Sequence, residues 1–67
     1  MHIRTFLGSD DDLSVAIAEA EAAAQRLLDN LNPHELISVS AQSFIDRWED
    51  GGLNHHTSFH VITVVFR

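Results

Sequence analysis

The chain contains no cysteine, no lysine and no tyrosine among its 67 residues, and only one proline and three glycines. Without cysteine there is neither a disulfide framework nor a thiolate metal site. A domain of this size buries only about 60% of the surface that its unfolded chain exposes, so oligomerisation is the natural supplement to a thin core. Without lysine, the positive charge rests on Arg4, Arg26, Arg47 and Arg67, against ten acidic residues, for a formal net charge of −6. Four scattered guanidinium groups do not make the basic face that displaces counterions from phosphates, which argues against nucleic acid and anionic membranes as partners. No apolar run approaches the roughly 20 residues of a membrane span, and no basic segment followed by an apolar one opens the chain. The expectation is a single domain over residues 1–67, in the cytoplasm.

What is present is periodicity. In His2 to Leu7, Ile3, Thr5 and Leu7 alternate with His2, Arg4 and Phe6, and Gly8 closes the run, which reads as a strand. Ser9 and Asp12 have the spacing of a helix capping box, and Asp10, Asp11 and Asp12 suit a first turn, where the positive end of the helix dipole favours carboxylates. Leu13, Ile17, Ala20, Ala24, Leu27, Leu28 and Leu31 then recur at three- and four-residue steps. This predicts an amphipathic helix over about Asp10 to Asn30, whose alanine-rich middle permits close approach to a sheet or another subunit. Asn30, Asn32 and Pro33 end it, with asparagine in a left-handed terminal conformation.

Alternation returns over Glu35 to Trp48, where Ile37, Val39, Ala41 and Ile45 share one face and Leu36, Ser38, Ser40, Gln42, Phe44 and Trp48 the other. Gly51-Gly52 supplies hairpin chemistry. The last strand, Thr57 to Arg67, is apolar on both faces, with Phe59, Val61 and Val65 on one and Ile62, Val64 and Phe66 on the other. A strand apolar on both sides belongs in the middle of a sheet. The predicted fold is therefore α+β, in the order β-α-β-β: a three-stranded mixed sheet of strand order 1-3-2 with one helix on one face. The first two strands run parallel through the helical crossover, and the third runs antiparallel to both. One helix covers one face, so the other must meet a partner, and that partner is inferred to be another copy of the chain.

Candidate chemistry centres on the histidines. His55 and His56 are adjacent and so point to opposite faces of an extended segment, while His56 and His60 share a face about 13 Å apart at roughly 3.3 Å per residue. Neither pair chelates one ion, and a metal or catalytic site would have to draw on His34, His55, His56 or His60 across a subunit boundary. Asp10 to Asp12 lacks the spacing of a calcium loop. Ser38, Ser40 and Ser43 lack a glycine-bracketed elbow and a local histidine base. Trp48, the only tryptophan, reads as a cap on the sheet end or a stacking surface for a planar ligand.

Four features together, namely Leu7-Gly8-Ser9 ending the first strand, the acidic Asp10 to Asp12, the run VAIAEAEAAAQRLL and the closing FHVITVVFR, give a chain that resembles the dodecins. These are small β-α-β-β flavin-storage and flavin-buffering proteins that form hollow dodecamers. The resemblance covers nearly the whole chain and implies a non-enzymatic homo-oligomer that carries a planar small molecule such as flavin. Where the family stacks flavin on a tryptophan the chain reads Pro33-His34-Glu35-Leu36, and His60 stands at the family's last-strand glutamine. Ligand contacts would then fall to His34, Gln42, Trp48 and His60. The chain is also similar to a group of short sporulation-associated proteins with the same strand-helix-hairpin order. An assembly or interaction protein without ligand is the remaining reading.

Overall fold

A computed structural model describes the whole chain, Met1 to Arg67. Its elements are β1 (His2–Asp10), α1 (Leu13–Leu28), a short 3-10 turn (Pro33–Glu35), β2 (Leu36–Asp50) and β3 (Leu53–Phe66). The three strands form one sheet in the order β1-β3-β2, with β3 antiparallel to both neighbours. The β-α-β-β order and the central place of the doubly apolar strand are thus as the alternation predicts. Asp50 and Leu53 face each other across a two-residue turn in which Gly51 and Gly52 have φ of 57° and 79°. Positive φ at both central residues is the type I′ geometry, whose twist matches the flanking strands, and glycine adopts it without strain.

The ends of the elements differ from expectation. Gly8 does not stop β1, which continues through Ser9 and Asp10 because Gly8, Ser9 and Asp10 pair with His60, Phe59 and Ser58. The helix consequently begins at Leu13, and its N-cap is Asp12 rather than Ser9. The Asp12 carboxylate accepts hydrogen bonds from Ser14 N–H at 2.9 Å and Ser14 Oγ–H at 2.8 Å. No acidic residue lies in the first turn, and Asp10 instead accepts from the Asp12 N–H at 3.0 Å in the loop. At the other end no residue but glycine has a positive φ. The asparagine expected in a left-handed conformation works through its side chain, Asn30 Nδ2 donating to the Arg26 carbonyl at 2.8 Å. In β2 the ladder shifts between Leu36 and Ser38, so Leu36 opposes Phe66 while Ile37 is the extra residue. The bulge moves Leu36 onto the face of Val39 and Ala41, not that of Ser38.

The helix packs through its smallest residues. Ala16, Ala20 and Ala24, four apart and buried, meet β1 and β3. On β3 the inward row is Ser58, His60, Ile62 and Val64, all buried, with Val64 fully so. The face of Ile62, Val64 and Phe66 is therefore the one that meets the helix. A β-carbon built on Gly8 would lie 1.9 Å from the Ala16 carbonyl oxygen and 2.9 Å from the Ala20 nitrogen, so backbone rests on backbone there. Around Ala20, Ala24, Ile62 and Val64 gather Phe6, Leu27, Leu28, Leu31 and Phe66.

This core serves only part of the sheet. The helix packs on β1 and β3 and barely touches β2, every residue of which is exposed. The hairpin projects past the helix, giving extents of 52 × 18 × 11 Å and a radius of gyration of 14.7 Å, against about 11 Å for a compact domain of this length. The accessible surface of 4810 Å² likewise exceeds the roughly 4,250 Å² typical of a folded monomer of this mass.

Candidate functional site

The sheet face turned away from the helix is the chemically distinctive surface. Residues opposed across a ladder share a face, so the pairings place Ile3, Thr5 and Leu7 of β1 beside Val65, Thr63 and Val61 of β3, with Ser38, Ser40 and Gln42 of β2 beyond them. Toward the hairpin tip the row continues as Phe59 with Phe44 and His55 with Trp48. Both pairs stack. The Phe44 and Phe59 ring centroids are 5.0 Å apart with 17° between planes, and those of Trp48 and His55 are 5.5 Å apart with 18°. Offset stacks of this kind add to the area they bury. Ile3, Leu7, Phe44 and Trp48 are about half exposed nonetheless.

At the tip, Arg47, Trp48, Glu49, Asn54, His55 and His56 surround an open hollow of about 480 Å³. The two adjacent histidines part as an extended backbone requires. His55 stacks on Trp48 on the open face, and His56 turns to the helix side, where its Nε2–H donates to the Asp11 carbonyl at 3.0 Å. Ser58 Oγ–H donates to the same carbonyl at 3.5 Å. These two bonds tie the β1–α1 loop to the hairpin. In the same loop the Asp12 carboxyl is held below its ordinary range by the Ser14 hydroxyl and N–H. At the far end of β2, the Glu35 carboxylate accepts from Asn32 N–H and Nδ2–H, both at 2.9 Å. The backbone bond leads in holding the Glu35 carboxyl low.

The four residues that the dodecin resemblance implied for ligand binding are not gathered within one chain. Trp48 and Gln42 lie on the open face but six residues apart along β2, about 20 Å at roughly 3.3 Å per residue. Gln42 lines a shallow hollow of about 300 Å³ with Ser40, Ala41, Val61 and Thr63. His34 sits in the 3-10 turn at the opposite end of β2 from Trp48. His60 faces the helix, 9% exposed, and borders an apolar groove of about 290 Å³ between α1 and β2, with Ala24, Leu28, Val39, Ala41 and Ile62. Any site that uses two or more of them has to span copies of the chain.

Ser43 has no histidine near it in the sequence, yet it opposes His60 across the ladder, and Ser43 Oγ and His60 Nδ1 are hydrogen-bonded at 2.6 Å, the donor being set by the imidazole tautomer. The seventeen-residue separation concealed it, since only the hairpin register makes the two neighbours. No third side chain hydrogen-bonds to His60, so the pair lacks the orienting group of a nucleophilic triad. It satisfies a polar group beneath the helix and locks β2 to β3. No three histidine, aspartate or glutamate side chains of one chain come together as a metal-binding group, and no helix is long and apolar enough to cross a membrane. No protein family, no curated protein and no solved structure matches the chain.

Proposed function

We propose that this is a non-enzymatic, self-associating protein whose fold is completed when further copies cover the open sheet face. The observation that carries this reading is the row of Ile3, Leu7, Val61, Val65 and the Phe44–Phe59 stack, an apolar surface on the side of the sheet that has no helix. Val64 is the one large side chain fully removed from water, so a single protomer has little hydrophobic burial to set against the entropy of ordering its backbone. A second copy is the occupant that fits. Each chain is short of cover in the same way, and a surface shared by identical chains can be buried by a symmetric contact. Sedimentation at micromolar concentration is expected to give a mass that is a multiple of 7.5 kDa. A folded species of the protomer mass would overturn the reading.

A second reading adds a ligand. Trp48 presents a half-exposed indole, already stacked parallel to His55, on the wall of the hairpin-tip hollow. Flat aromatic surface of this kind stacks planar molecules. Together with the dodecin resemblance, it supports a carrier of a planar small molecule such as a flavin. Riboflavin fluorescence should then be quenched on titration with the assembled protein, and Trp48→Ala should abolish the quenching while leaving the mass unchanged. Equal quenching by Trp48→Ala, or none by either, would remove the carrier function and leave an assembly protein.

A further inference from the structure

The outer edge of β2 is open and, past the bulge at Ile37, lacks the devices that normally keep strand edges apart. β2 lies at the end of the sheet and pairs only with β3, so its other edge presents unpaired backbone N–H and C=O groups along a fifteen-residue strand. Native edges are protected by short length, charged side chains, proline or cover from a neighbouring element. From Ser38 to Ile45 the strand has no charge and no proline, and the helix barely touches it. The opposite edge, β1, is shorter and carries Arg4 and Asp10.

We propose that the edge of β2 over residues 38–44 pairs antiparallel with the same edge of a second copy, joining two protomers into one continuous six-stranded sheet. This rests on the self-associating reading above and specifies one of its contacts. A two-fold axis perpendicular to the sheet keeps both helices on one side, so directly opposed residues must share a face. With Ala41 on that axis, the regular part of the strand sets Ser38 of one copy level with Phe44 of the other, Val39 with Ser43 and Ser40 with Gln42. The uncharged segments then face each other, which spares a chain of net charge −6 from like-charge contacts at this junction. Pairing also merges the two open faces into one apolar surface and leaves a trough between the helices, floored by Val39, Ala41 and Ile45 from both chains.

The absence of cysteine makes the test clean. In Ala41→Cys the thiols of paired copies lie across the axis from each other. Under mild oxidant at roughly 10 μM protein, disulfide-linked dimer should form about a hundredfold faster than in Val15→Cys, whose thiol sits on the exposed helix surface, because pairing raises the effective thiol concentration to the millimolar range. In the unmodified protein, amide hydrogen exchange should be slow at consecutive residues through 38–44, since both edges of β2 are then hydrogen-bonded. Cross-linking no faster than in Val15→Cys, or protection only at alternate residues, in a sample whose sedimentation shows an oligomer would overturn edge pairing and leave self-association standing. A monomer in the same sedimentation run would overturn both.

Discussion

Gly8→Val unfolds the chain, and Gly8→Ala lowers its melting temperature by about 12 °C or more. The Gly8 β-carbon would sit 1.9 Å from the Ala16 carbonyl oxygen, with the Ala16 carbonyl carbon and the Ala20 nitrogen both at 2.9 Å. All three are backbone atoms of a regular helix, so no side chain can rotate away. Relief requires lifting α1 from β1 and β3, which opens the only well-packed layer in the protein. Overpacking a core typically costs about 1–3 kcal/mol, and a rigid backbone clash belongs at or above the top of that range. Total stability at this length is about 3–10 kcal/mol, so a large fraction is lost, and each kcal/mol shifts the midpoint by about 4–8 °C in a domain of this size. The contrasting substitution is Gly51→Asn, where nothing lies within 4 Å of the added carbon and asparagine tolerates the 57° φ. Thermal unfolding followed by circular dichroism separates the two. A Gly8→Ala protein that melts within a few degrees of the parent would show that the helix does not rest on the strand at this point.

Placing one aspartate on either side of the sheet should give two different failures. Val64 is fully buried between β3 and the helix, and Ile62 beside it is nearly so. Val64→Asp puts an unpaired carboxylate in that layer at a cost of several kcal/mol, enough to unfold a protomer with so small a core. Leu7 lies on the open face and is 55% exposed in the protomer. Leu7→Asp leaves each chain folded, yet a copy docking there would bury the charge, so the mass should fall below that of the parent, to no more than an edge-paired dimer of two 7.5 kDa chains, while helix and strand signals persist. Sedimentation and far-ultraviolet circular dichroism on both variants read the split. If Leu7→Asp retains the parent mass, the open face is not where copies meet.

The order of elements was legible because each rule that sets it is local. Alternation marks the strands, three- and four-residue spacing marks the helix, and Gly51-Gly52 marks a turn that needs positive φ twice. The central position of β3 followed from apolar residues on both its faces, since only a middle strand has neighbours on two edges and cover above. The histidine geometry was legible too, as period two alone sends His55 and His56 to opposite sides.

Other features depended on which groups become neighbours. Alternation is symmetric between faces, so it left open whether Phe59, Val61 and Val65 or Ile62, Val64 and Phe66 meet the helix. Size complementarity decided it: Gly8 in the first strand and the alanine row of the helix allow an approach that a larger side chain would block, and their register with β3 draws His60 and Ser58 under α1 although both are polar. The Ser43–His60 bond exists for the same reason, fixed by a hairpin register rather than by any spacing along the chain. Ser9 met the sequence pattern for a cap, but ladder pairing with Phe59 held it in β1 and passed the role to Asp12. By itself the sequence determined the list of elements and the central place of the doubly apolar strand, because both follow from the polarity of each residue and its near neighbours. Which face is covered, where each element ends and which polar groups are paired were settled by the tertiary structure, because they depend on contacts between residues far apart in the chain.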